Sequence, residues 1–139
     1  MIRNVNGLTA DTRVKVERWV ELCMARGVEV LVYCTRRTLE EQAALYASGR
    51  TVPGPVKTNA KPGYSWHNYG RAVDAVPMVD GKPDWSYSEN EIHWRVMIEE
   101  GDRVGLEWAG RWKTFKEFVH WQFVPPGLTY DQARAQQEA

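Results

Sequence analysis

The stretch "SWHNYGRAVDAV", Ser65 to Val76, decides how this chain is read. Ala72, Val73, Ala75 and Val76 have the composition of a buried strand, yet they flank a carboxylate, Asp74. An isolated charge in such surroundings is costly unless it is neutralised, hydrogen-bonded or bound to a metal. Arg71 or Arg103 could neutralise it, and a metal ion is the alternative. His67 stands seven residues before Asp74. On one helix the two would lie about 10 Å apart along the axis, and on a continuous strand they would point to opposite faces. Gly70 removes both obstacles if it bends the chain, leaving His67 in a turn and Asp74 on the strand behind it.

Outward from this stretch, "GRAVDAVPMV" predicts a strand ended by an Asp80-Gly81 turn, with Pro77 suggesting an edge or bent position. Upstream, "RTVPGPVKTNAKPGYS" is rich in Pro and Gly and predicts a loop. "TLEEQAALYASG" predicts a helix opened by a Thr38/Glu41 capping box and closed by Gly49. "VEVLVY", Val28 to Tyr33, has the composition of a central strand, and Val16, Trp19, Val20 and Cys23 recur at helical spacing before Gly27. Downstream, "SENEIHWRVMIEEGDRVG" predicts a third helix with a Ser88/Glu91 capping box. "LEW" and "VHWQF" predict short strands, and residues 129–139 a polar helix that frays at its end. The order describes one α+β domain over residues 1–139, a mostly antiparallel sheet with helices packed on one side.

Eighteen basic and eighteen acidic residues balance, which argues against nucleic acid as the main partner. No apolar run reaches the roughly 18 residues needed for stable membrane insertion, and the first residues lack a signal-peptide core. The expectation is therefore a cytoplasmic chain as synthesised, and a monomer. Cys23 and Cys34 lack metal-pair spacing and are expected as free thiols.

A second group lies in "KEFVHWQF", where Glu117 precedes His120 by three residues. They share a face only if the strand begins at about Val119. His93, on a helical segment without a partner, is expected to be structural. His67, Asp74 and His120 supply two imidazoles and a carboxylate, a donor set suited to catalytic zinc with one open position, and Glu117 could accept a proton from water there. The residues alone leave this beside the structural alternatives.

Ser65, His67, Gly70, Ala72 and Asp74 form S-x-H-x-x-G-x-A-x-D, which resembles the signature of the D-Ala-D-Ala carboxypeptidase and dipeptidase family of zinc peptidases, relatives of the hedgehog fold. Glu117, His120 and Trp121 resemble its second motif, and "RRTLEEQAALYASGR" is similar to a segment whose arginine points into the active site. The short chain looks most like the L-alanyl-D-glutamate endopeptidases, chiefly phage endolysins. The resemblance implies one zinc held by His67, Asp74 and His120, with Glu117 as general base. It selects Arg37 over Arg36, with Gln42 on the following helix as a substrate-binding residue pointing into the site. Arg37 would stabilise the developing oxyanion or grip a substrate carboxylate. Ser65 would orient substrate or His67. Trp66 and Trp121, which flank two of the implied ligands, are expected in the groove wall, with packing in the core as the alternative. The implied partner is the stem peptide of bacterial peptidoglycan, reached after release through the membrane. Two other functions remain open: a D-Ala-D-Ala carboxypeptidase or dipeptidase, and a non-catalytic, zinc-stabilised wall-binding module.

Overall fold

The computed structural model describes residues 1–138; Ala139, the last residue of the expected C-terminal helix, lies outside them. Helix α1 (Ala10–Ala25) forms where Thr12, Val16, Trp19 and Cys23 bring one buried stripe to the sheet. It leads into β1 (Glu29–Cys34) and α2 (Leu39–Ala47), whose Thr38/Glu41 capping box forms as expected. After a long loop come β2 (Ala72–Val79), β3 (Lys82–Pro83), α3 (Ile92–Val104), β4 (Glu107–Trp108), β5 (His120–Gln122) and α4 (Tyr130–Glu138). The pairings are antiparallel, in the order β1-β2-β5-β4, with β3 returning on β2 through Asp80-Gly81, both at positive φ.

Helices α1 and α3 pack together over one face, where Trp19 Nε1 donates to the Met97 carbonyl at 2.8 Å. Trp19, Trp94, Met97 and Trp121, all without solvent exposure, fill the space between helices and sheet with Val30, Val32 and Val73. Large side chains of this kind each contribute about 1.5–3 kcal/mol when removed from water. Helices α2 and α4 stand at the rim of a groove on the other side, through Leu45 and Tyr130.

Three local expectations are corrected. Strand β1 is outermost, not central. Its outer edge is met by the first residues of the chain, with Val32 N–H donating to the Met1 carbonyl at 2.9 Å and Arg3 N–H to the Val32 carbonyl at 3.0 Å. That cover, together with α1, buries the strand as a second neighbour would. Strand β2 is the central one despite Pro77. The proline sits opposite Val30 where the partner on the other side changes from β5, at residues 72–74, to β3, at residues 78–79. A missing N–H is tolerated at such a gap in the ladder. The Ser88/Glu91 capping box does not form. Glu91 is itself the N-cap, its carboxylate accepting from the His93 and Trp94 amides, so α3 begins later than expected.

Candidate active site

His67 lies on a 3-10 turn, Trp66–Tyr69, whose N-cap is Ser65; the serine hydroxyl accepts from the His67 amide. Ser65 thus orients His67 through its backbone. Gly70 ends the turn at φ 68°, and a Cβ there would meet the Gly7 carbonyl oxygen at 2.4 Å, so only glycine fits. The chain then enters β2, which carries Asp74 directly opposite His120 on β5. Strand β5 begins at His120, leaving Glu117 in the preceding turn on the same side, as a shared role demands.

The side chains converge on one oxygen. His67 Nε2 is 3.1 Å from Asp74 Oδ1, and His120 Nδ1 is 3.5 Å from the same atom. Glu117 Oε2, on a half-exposed side chain, is 3.4 Å from His120 Nδ1. Each imidazole is oriented from behind: His67 Nδ1 donates to the Thr35 carbonyl at 2.7 Å, and His120 Nε2 to Gln122 Oε1 at 2.8 Å. These bonds turn His67 Nε2 and His120 Nδ1 toward Asp74, the pattern that fixes the tautomer of metal-ligating histidines. His120 Nδ1 is buried without a hydrogen-bond partner among the described residues. A buried lone pair facing a carboxylate suits a cation between them, and the donor set of two imidazoles and one carboxylate fits zinc.

Arg71 and Arg103, the candidates for neutralising Asp74, pair instead with Asp11 and Glu100. The charge near Asp74 comes from His67 and from Arg37, whose Nη2 lies 3.7 Å from Asp74 Oδ2. Burial disfavours a charged His67, but the Asp74 carboxylate more than offsets this and raises its pKa to about 10 without a metal. Burial likewise opposes the Asp74 charge, and the two histidines nonetheless hold its carboxyl well below the ordinary range.

Arg37 lines the groove while Arg36 is exposed. Gln42 is corrected: it does not reach the groove. Fully buried, it accepts from Arg37 Nη1 at 2.9 Å and donates to the Ala60 carbonyl at 2.8 Å, tying the arginine to the long loop. Trp66 lines the groove and packs at a tilt against Tyr130, their ring centroids 4.4 Å apart, but Trp121 does not line it. Alternation along β5 turns Trp121 away from His120 and into the core, 4.7 Å from Trp19. His93 bonds its own cap, Glu91, a structural role.

Sequence reading missed Gln122, Cys34 and the groove residues Trp112 and Tyr130. Gln122 had a signal, since it stands two residues beyond His120 on a strand. Cys34 lies opposite Asp74 in the β1–β2 register, which no local pattern reveals. Cys34, His67 and Asp74 can each offer a ligand atom, all within 4.8 Å of one another. The Cys34 sulfur, however, sits 3.9 Å from His67 Nδ1, the nitrogen already held by Thr35. His120, with its unpartnered Nδ1 3.5 Å from Asp74 Oδ1, presents a donor atom that is not already engaged. The groove around these residues encloses about 520 Å³.

Residues 58–123 match the family model described as D-alanyl-D-alanine carboxypeptidase. The peptidoglycan L-alanyl-D-glutamate endopeptidase CwlK of Bacillus subtilis is 37% identical over 106 residues, 72% of this chain and 64% of the relative. The L-alanyl-D-glutamate peptidase of Listeria phage A118 is 32% identical over 131 residues, 94% of this chain and 43% of the relative. The chain thus spans less than two thirds of either protein. Among solved structures, the Serratia marcescens L-Ala D-Glu endopeptidase ChiX superposes with a TM-score of 0.62 at 23% identity, covering 87% of this chain and 84% of that one. The vancomycin-resistance D,D-pentapeptidase VanY in complex with Zn(II) gives 0.56 at 19%, covering 95% and 79%. Motif order, fold and relatives agree: residues 58–123 carry the D-alanyl-D-alanine carboxypeptidase match, and L-alanyl-D-glutamate endopeptidases are among the proteins the chain is similar to.

Proposed function

We propose that this chain is a zinc-dependent peptidoglycan peptidase that hydrolyses the L-alanyl-D-glutamate bond of bacterial stem peptides, and that the cell wall is where it acts. The observation that carries the reading is the convergence of His67 Nε2 and His120 Nδ1 on Asp74 Oδ1, with a carboxylate, Glu117, beside His120. The bond specificity is supported by the two relatives named for it.

His67, Asp74 and His120 would hold the ion. When bound, zinc supplies a Lewis acid that polarises a carbonyl and lowers the pKa of water to about 7. Glu117 receives the proton of the attacking water on a carboxylate oxygen and returns it to the leaving amine. The Arg37 guanidinium, held by Gln42 and beside Asp74, offers its remaining N–H groups to the oxygen on which negative charge grows. Trp66 and Tyr130 wall the groove and keep an extended peptide in place.

A digest of defined muropeptides, with and without a chelator, tests this. Release between L-Ala and D-Glu that stops on chelation and returns with zinc is expected. Loss of terminal D-Ala alone would identify a carboxypeptidase instead, and zinc binding without any cleavage would identify a wall-binding module. No described helix is long and apolar enough to cross a membrane.

A further inference from the structure

The groove does not end at the proposed ligands. A second compartment of about 570 Å³ adjoins it, sharing Thr58, Ala60, Tyr64, Trp112 and Glu117, and adding Lys61 and Phe115. Phe115 is 69% exposed and holds φ 54°, an uncommon backbone conformation for a bulky residue, at the outer lip. Exposed rings around a concave surface mark a binding groove rather than a packed core. Apart from Glu117, the only charged residue lining this compartment is Lys61. Lys57, four residues earlier on the same loop, lines the catalytic compartment, and both lysines are exposed. Neither enters an ion pair among the described residues, whereas Arg37 is engaged with Gln42 and Asp74.

Glu117 gives the groove a direction. A group that hands a proton to the leaving amine must lie within hydrogen-bond reach of the scissile nitrogen. The half of the substrate that leaves as the amine therefore runs past Glu117 toward Lys61 and Phe115. In an L-alanyl-D-glutamyl substrate that half begins with D-glutamate. Linked onward through its γ-carboxyl, this residue keeps a free α-carboxylate one carbon from the scissile nitrogen. We propose that Lys57 and Lys61 form the acidic-residue subsite, pairing with that α-carboxylate, and that they set the preference for an acidic residue on the amine side of the cut. The inference rests on the function proposed above and adds the direction of binding and the residues that read it.

Two synthetic stem peptides test it, one with the free α-carboxylate and a twin carrying the primary amide at that position, each assayed with the zinc-loaded wild type and with Lys57→Met/Lys61→Met. A charge-assisted hydrogen bond corresponds to about a tenfold or larger effect. The wild type is expected to cleave the carboxylate peptide with at least about tenfold higher kcat/KM than the amide twin. In the double variant that ratio collapses toward one, through a higher KM for the carboxylate peptide. A wild type indifferent to the amide, or a ratio that survives in the variant, overturns the subsite. A wild type that cleaves neither peptide overturns the proposed function, and the subsite with it, and is distinguished because no ratio then exists.

Discussion

At the scale of the residue, the site rests on a pair that is charged without metal. His67 donates to the Thr35 carbonyl and to Asp74, and it retains its proton to about pH 10. A cation at Nε2 must displace that proton. Zinc affinity, measured by competition with a chelator, should therefore rise about tenfold per pH unit between pH 6 and 8. The same shift fixes the sign for stability: with the His67 pKa raised from 6.5 to about 10, its pairing stabilises the metal-free fold fully below 6.5 and is lost as pH climbs toward 10. Urea titrations of metal-free protein at pH 6, 8 and 10 should show midpoints falling in that order. Glu117 stands outside this pair. Glu117→Gln should bind zinc with unchanged stoichiometry while kcat falls by about 10²–10⁴-fold, and unchanged turnover would remove it from the mechanism.

At the scale of the element, local chemistry was readable and register was not. The Thr38/Glu41 box and the α1 stripe follow from neighbours three and four residues apart, and both are present. Thr38→Ala should accordingly cost about 1 kcal/mol in chemical denaturation. Gly70 was readable because the bend it supplies was required by the spacing of His67 and Asp74. Trp121 was misjudged from being next to a proposed ligand in the chain. Adjacency in a strand means the opposite face, so the residue that shares the face of His120 is Gln122. Gln122→Ala removes the acceptor that orients His120 Nε2, and zinc affinity should drop about 10–100-fold without loss of the fold. The place of β1 at the sheet's edge could not be read, because its outer cover comes from residues about thirty positions earlier.

At the scale of the whole molecule, the proposed ligands come from a 3-10 turn, the central strand β2 and the short strand β5, brought together only by the complete sheet. Binding an ion there therefore stabilises the entire fold. Stability should grow by about 1.4 kcal/mol for each decade of free zinc above the dissociation constant, seen as a melting temperature that climbs with zinc and drops on chelation. The core beneath is legible from composition, since most of the seven tryptophans lie within it. Two that do not, Trp66 and Trp112, rim the groove, and the Trp112 ring lies 5.5 Å from the ring of His120. An indole so near an imidazole emits differently according to what that imidazole holds. The protein should thus carry its own optical gauge: its native ultraviolet fluorescence is expected to report the filling of the groove without a dye, and Trp112→Phe is expected to silence the part of the response that the Trp112 indole contributes beside His120.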